Sequence, residues 1–200
     1  MGKAIVISGT PGVGKTRISL RLASILNAKY INLSDFAIEN KLYQYFDTER
    51  STYVIDEDSL RREISRIIKD YEGYVIIDSH YGEIVDDDLV EKIFILRLNP
   101  RDLLKRLESK GWSKEKVREN VEAEVLGICT QNALNEHPRD KVCEIDTTGK
   151  EVDEVIEEIM DVLKGVKPCR IGVDWLSSTD VGSLLEYILR RQYPNSQWCG

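Results

Sequence analysis

Apolar positions along the chain follow two rhythms. Short, nearly unbroken runs, Lys3-Ala-Ile-Val-Ile-Ser8, Lys29–Asn32, Tyr74-Val-Ile-Ile-Asp78, Lys92–Leu98 and Val142–Asp146, have the length and hydrophobicity of strands buried on both faces. Between them the period lengthens to that of a helix. Ile18, Leu22, Ile25 and Leu26 share one helical face, and Leu60, Ile64, Ile67 and Ile68 share another behind a capping Asp58. Asn99-Pro100 opens a third helix through Leu103, Leu104 and Leu107, with proline in the first turn. Ser113 with Lys116 and Val117 starts a long charged helix predicted to run towards Asn135. Val152, Val155, Ile156, Ile159, Met160 and Leu163 complete the series. Strands alternating with helices predict an α/β domain over residues 1–164, a five-stranded parallel sheet with helices on both faces. Ligands of such a sheet bind at the carboxyl ends of its strands.

The last stretch, residues 165–200, reads as an appendage. Gly165-Val-Lys-Pro168 has the composition of a linker, and Arg170–Leu176 is a candidate strand. Thr179 or Asp180 then caps a predicted helix with Val181, Leu184, Leu185, Ile188 and Leu189 on one face. That stripe is too short to fold alone, so it packs on the main body or docks a partner.

The 200 residues suit one domain with a sizeable core. A net charge of −7 argues against an electrostatic grip on nucleic acid, so no direct, sequence-specific nucleic-acid binding is expected. Acidity suits a basic protein partner, or solubility alone. The four cysteines, Cys129, Cys143, Cys169 and Cys199, form no C-x-x-C pair, and there are only two histidines. That excludes a zinc pattern and predicts reduced thiols. Met1-Gly-Lys runs straight into the first strand without a signal peptide, and no apolar stretch approaches the ~18 residues of a membrane span. The expectation is a soluble, cytoplasmic protein without membrane association.

Residues 9–16, Gly-Thr-Pro-Gly-Val-Gly-Lys-Thr, match G-x-x-x-x-G-K-[ST] at every required position, between a predicted strand and a predicted helix. Gly9, Gly12 and Gly14 would let the backbone approach phosphate oxygens, and loop amides with the helix N-terminus would offer them partial positive charge. Lys15 would reach the β- and γ-phosphates, and the Thr16 hydroxyl would ligate Mg²⁺. The pattern predicts a nucleoside triphosphate site; the alternative is a glycine-rich turn that binds nothing.

Asp78 closes an apolar strand with a carboxylate, the form of a second Mg²⁺-holding element. His80, two residues on, would lie near the γ-phosphate and orient or deprotonate an attacking water, or be a surface histidine packed on Tyr81. Residues 109–118 are rich in cations, and Lys110, Lys114 and Arg118 would neutralise charge in phosphoryl transfer if Gly111 hinges the segment as a lid. Otherwise it is a solvated turn. Asn40-Lys41-Leu42-Tyr43 lacks the aspartate that grips guanine, which argues against a switch GTPase. Thr147-Thr148-Gly149-Lys150 is a candidate loop over the nucleotide base, or simply a capped turn.

Taken together, Ile7–Thr16, Tyr30-Ile-Asn32, Leu42-Tyr43, Asp56-Glu-Asp58, Asp78-Ser-His80 and Arg106–Glu124 resemble the adenylate kinase isoenzyme 6 family in its archaeal form, over roughly residues 3–164. The resemblance implies a P-loop nucleoside monophosphate kinase fold, with an NMP-binding region near 32–55 and a short lid near 109–119. It implies ATP and Mg²⁺ as cofactors and AMP as acceptor, in ATP + AMP = 2 ADP. Gly12, Gly14, Lys15, Thr16 and Arg17 match its ATP-contacting stretch, and Lys150 a lysine near the base. The family is further associated with ATP hydrolysis and late maturation of the small ribosomal subunit, through a basic platform ribosomal protein; contact with the pre-ribosomal subunit would then be indirect. Ile38 stands where an arginine of the family meets the AMP phosphate, with Lys41 and Arg50 nearby, and Lys110 where the lid often carries arginine. Both departures should weaken AMP handling more than ATP binding. Arg97, Arg101 and Arg106 remain candidate phosphate contacts.

Overall fold

The structure is a computed structural model that describes residues 2–48, 52–80 and 84–177. Five parallel strands, β1 (Lys3–Ser8), β2 (Lys29–Asn32), β5 (Tyr74–Asp78), β6 (Val90–Arg97) and β7 (Val142–Asp146), lie in the order β2-β5-β1-β6-β7. Their register sets Ile7 beside Asp78 and Phe94, so the carboxyl ends of β1, β5 and β6 finish at one level. Alternation along β1 divides the core: Ile5 and Ile7 pack to one side of the sheet, Ala4 and Val6 to the other. The first layer is closed by α1 (Lys15–Leu26), α4 (Pro100–Ser109), α5 (Lys114–Leu126) and α7 (Val152–Leu163). The second is closed by α2 (Leu33–Glu39), α3 (Glu57–Asp70) and α6 (Ile128–Glu136).

The helix starts are chemically specified. Asn32 ends β2, and its side-chain oxygen accepts from the amides of Ser34 at 3.0 Å and Asp35 at 3.1 Å, starting α2 without a loop. Asp56, not Asp58, caps α3 by accepting from Ser59 N at 3.1 Å. Asn99 and Ser113 cap α4 and α5, and Glu151 with Glu154 forms the capping box of α7.

Three further expectations are revised, and one unpredicted element is found. The predicted helix from Ser113 to Asn135 is two helices, broken at Gly127, whose φ of +65° ends α5 in a left-handed turn and brings its backbone against the Arg97 guanidinium. The NMP-like stretch contains an antiparallel hairpin, β3 (Tyr43–Asp47) and β4 (Thr52–Ile55), which apolar periodicity did not signal because its faces are largely exposed. Arg170–Leu176 is not a strand. Arg170 O accepts from Glu144 N at 2.7 Å, and the amides of Gly172 and Val173 turn to the Glu144 side chain instead of a backbone ladder. Finally, Cys143 and Cys169 are not reduced thiols but a disulfide, with Cα atoms 5.0 Å apart. They lie 26 residues apart in sequence, and α7 folds back to bring the two together. The helix predicted from Thr179 to Leu189 lies outside the described residues, as do Arg50, Tyr81 and Cys199.

Candidate active site

The loop between β1 and α1 turns on glycine at positions where a side chain has no room or no permitted conformation. Gly9, at φ +133°, would place a Cβ 2.5 Å from Leu96 O, and Gly14, at φ +108°, occupies the N-cap of α1 with no side-chain cap. The α1 amides are thus left to a ligand. Gly12 packs against Leu103 and Leu107 of α4, where a Cβ would collide.

Lys15 opens α1 and folds back over the loop, its Nζ donating to Gly9 O at 2.8 Å and Thr10 O at 3.2 Å. Desolvation lowers its pKa, and the Asp78 charge acts in the opposite direction. A desolvated ammonium held in a phosphate loop gains most from a polyanion. Asp78, buried at the end of β5, accepts on Oδ2 from Thr16 Oγ1 at 2.6 Å, Tyr30 OH at 3.0 Å and Asn32 Nδ2 at 3.3 Å. Tyr30 pays for its burial beside this carboxylate with a pKa raised to about 12, so it stays a donor. Strand β2 therefore supplies two side chains that hold Asp78, and the sequence reading gave neither a role. Their signal was available in part: Tyr30 and Asn32 are polar groups two residues apart, on one face at the carboxyl end of a predicted strand.

The oxygens of Thr16 and Asp78 form a donor set of the kind a hard divalent ion takes beside a triphosphate. Among the described residues no group of three or more His, Cys, Asp or Glu side chains could hold a metal, so an ion here would depend on phosphate and water for the rest of its shell.

A cleft of about 880 Å³ runs from this point. Its floor is Thr10, Lys15, Thr16, Asp78 and His80; one wall is Trp112, Lys116 and Asn120, and the other Asn32, Asp35 and Thr52. His80 is depressed to a pKa of about 4, first by desolvation and then by the Lys15 charge, with Asp78 opposing. Its imidazole is neutral at pH 7. Behind the loop lies a second, shallow groove of about 90 Å³ bounded by Gly14, Arg17, Arg106, Thr147 and Lys150. It lies between α1 and the β7–α7 turn, where the sequence reading looked for a loop over the nucleotide base.

The cations proposed for transfer distribute unevenly. Lys110 ends α4 and lies 5.8 Å from the Trp112 ring; it is close enough to lower the Lys15 pKa, yet it does not line the cleft. Lys114 is also absent from the lining, and Arg118 lies 3.6 Å from Glu122 along its own helix. Lys116, 4.3 Å from the Trp112 ring, is the lysine of this stretch that lines the cleft wall. Lys150 pairs with Glu158 at 2.6 Å at the edge of the second groove. Arg97 is no phosphate contact: it is 2% exposed and locked between Glu124 and Glu144. Arg106 reaches Gly12 O and Val13 O only at 3.5 Å, and Arg101 lines neither cavity. Ile38 is exposed on α2.

This strand–loop–helix, with its lysine folded over the loop and a buried aspartate on the neighbouring strand, defines a P-loop kinase fold. A family model described as an AAA domain matches residues 5–127. Proteins named "Putative adenylate kinase" from Saccharolobus solfataricus and Methanocaldococcus jannaschii are 41% and 37% identical, covering 91% and 86% of this chain and 92% of each relative. The chain belongs to the family of these archaeal proteins, the archaeal form of the adenylate kinase isoenzyme 6 family. The Saccharolobus match takes in more than residues 1–164 can hold, so part of the appendage is shared. In fold the chain is similar to thymidylate kinase from Candida albicans, with a TM-score of 0.56 at 17% identity over 86% of this chain and 96% of that one. Deoxyadenosine kinase from M. mycoides gives 0.52 at 18%, over 80% and 99%. No helix among the described residues is long and apolar enough to cross a membrane.

Proposed function

We propose that the chain transfers the γ-phosphoryl group of ATP to AMP, giving two ADP, and hydrolyses ATP when no acceptor is bound. The observation that carries this reading is the convergence of Lys15, Thr16, Asp78 and His80 on one end of a cleft whose far walls come from the lid and the NMP-like region. The names of the archaeal relatives support AMP as acceptor.

In this reading Lys15 leaves its loop carbonyls for the β/γ oxygens, and the loop amides hold the phosphates without reorganising. Thr16 and Asp78 would hold Mg²⁺, which would supply positive charge to offset that of the phosphates. Tyr30 and Asn32 keep the Asp78 carboxylate in place throughout. Lys116 is the lid cation positioned to approach the transferred group, and Lys110 acts from behind it.

Hydrolysis is supported by the place of His80 on the cleft floor, where desolvation and the Lys15 charge disfavour the imidazolium; a neutral imidazole there would orient or deprotonate a water. Service to small-subunit maturation, through a basic platform ribosomal protein, rests on the family resemblance and on the charge of −7. Binding of such a protein with and without ATP tests it.

The deciding experiment follows ADP and phosphate from Mg-ATP, with and without AMP. Two ADP per ATP consumed, dependent on AMP, supports the kinase; AMP-independent phosphate release makes hydrolysis the main reaction. Lys15→Ala should abolish both, and activity surviving that change would place the chemistry elsewhere.

A further inference from the structure

Glu124 takes no part in the chemistry above, yet it is 2% exposed and both of its carboxylate oxygens are engaged. Oε2 accepts from Thr10 Oγ1 at 2.7 Å. Oε1 accepts from Arg97 Nε at 2.8 Å, Leu98 N at 3.1 Å and Trp175 Nε1 at 3.1 Å. Three separate stretches, the phosphate loop, the end of β6 and the C-terminal segment, thus meet on one side chain of α5. A buried carboxylate is costly without such partners, and its position is correspondingly well determined.

Each partner is itself held. Arg97 Nη2 donates to Glu124 O at 2.7 Å, and its Nη1 pairs with Glu144. Glu144 accepts from the amides of Gly172 and Val173, both at 2.8 Å. The C-terminal segment therefore grips both acids that flank Arg97. On the other side, Thr10 O accepts from Lys15 Nζ at 3.2 Å and Val13 N at 3.3 Å, so turning Thr10 moves the lysine and the loop together. The same helix that carries Glu124 lines one wall of the cleft with Lys116 and Asn120.

We propose that Glu124 is a positioning residue that registers the phosphate loop against the lid helix, and that the C-terminal segment completes this device through Trp175. The inference rests on the reading of the cleft as the ATP site. Trp175→Phe keeps an aromatic side chain and removes the indole N–H together with part of the ring; Thr10→Val removes the hydroxyl and Thr10→Ser keeps it.

The test measures hydrogen exchange of loop residues 9–16 in the nucleotide-free, full-length protein, together with ATP turnover and ATP KM. Losing one hydrogen bond of this network should speed loop exchange about three- to ten-fold in Trp175→Phe and Thr10→Val. The kcat should fall by about the same factor, with ATP KM within about two-fold. Thr10→Ser should restore both, and the double variant should be no worse than Thr10→Val alone, since both act through Glu124. Loop exchange in Trp175→Phe equal to wild type, additive effects, or an equal rise in the β1 amides would overturn the proposal. The exchange and rescue readings are independent of AMP, so a failed acceptor assignment would show only in the turnover assay.

Discussion

His80 lines the same cleft as Lys15, and its surroundings decide its chemistry. Desolvation and the lysine charge both oppose the imidazolium, which holds the pKa at about 4 against an ordinary 6.5. The sign follows: the folded state binds the proton less well than the unfolded chain, so this site's contribution to stability is complete above pH 6.5 and lost as pH falls towards 4. In an NMR titration of the nucleotide-free protein, the His80 resonance should move near pH 4; a midpoint near 6.5 would mean that the ring is solvated and away from Lys15. His80→Ala should slow hydrolysis by about 10²-fold or more if the ring is a general base, with ATP affinity little changed. Equal loss of binding would remove the proposed role. Of the site residues, Lys15, Thr16 and Asp78 were legible because their spacing or strand-end position is tied to phosphate chemistry. Tyr30, Asn32 and Glu124 were not assigned roles, because each acts through a partner 48, 46 or 114 residues away.

At the scale of elements, the segment after α7 is bound to β7 twice, by the Cys143–Cys169 bond and by the Glu144 side chain. Closing a 26-residue loop constrains the unfolded chain by roughly 3 kcal/mol. Cys169→Ser should therefore lower unfolding free energy by about that amount in denaturant titrations, and reductant should do the same to the wild type but nothing further to the variant. An unchanged midpoint would show that the bond contributes nothing. Gly127 separates α5 from α6 at φ +65°, with the Arg97 guanidinium 3.5 Å from where a Cβ would stand. Gly127→Ala should cost about 1 kcal/mol or more, measured the same way. The break at Gly127 escaped a reading of periodicity because polar and apolar positions continue in helical spacing across it.

Across the whole molecule, one sheet serves both core layers, so damage to either should be felt as a single transition. Phe94 is fully buried at the centre of β6. Phe94→Ala should destabilise by about 3–5 kcal/mol, with circular dichroism and tryptophan fluorescence falling together. Separate transitions would show that the C-terminal segment or the hairpin melts on its own. The five strands of the parallel sheet, the helices α1, α3, α4 and α7, the phosphate loop and the strand-end aspartate were legible in local sequence, because burial on two faces, helical period and glycine chemistry each act over a few neighbouring residues. The pairing of Cys143 with Cys169, the burial of Arg97 between two acids and the meeting of Thr10 with Glu124 were decided only by tertiary structure. Each joins residues that no local pattern relates, and a charged side chain reads the same in a sequence whether it meets solvent, phosphate or a buried partner.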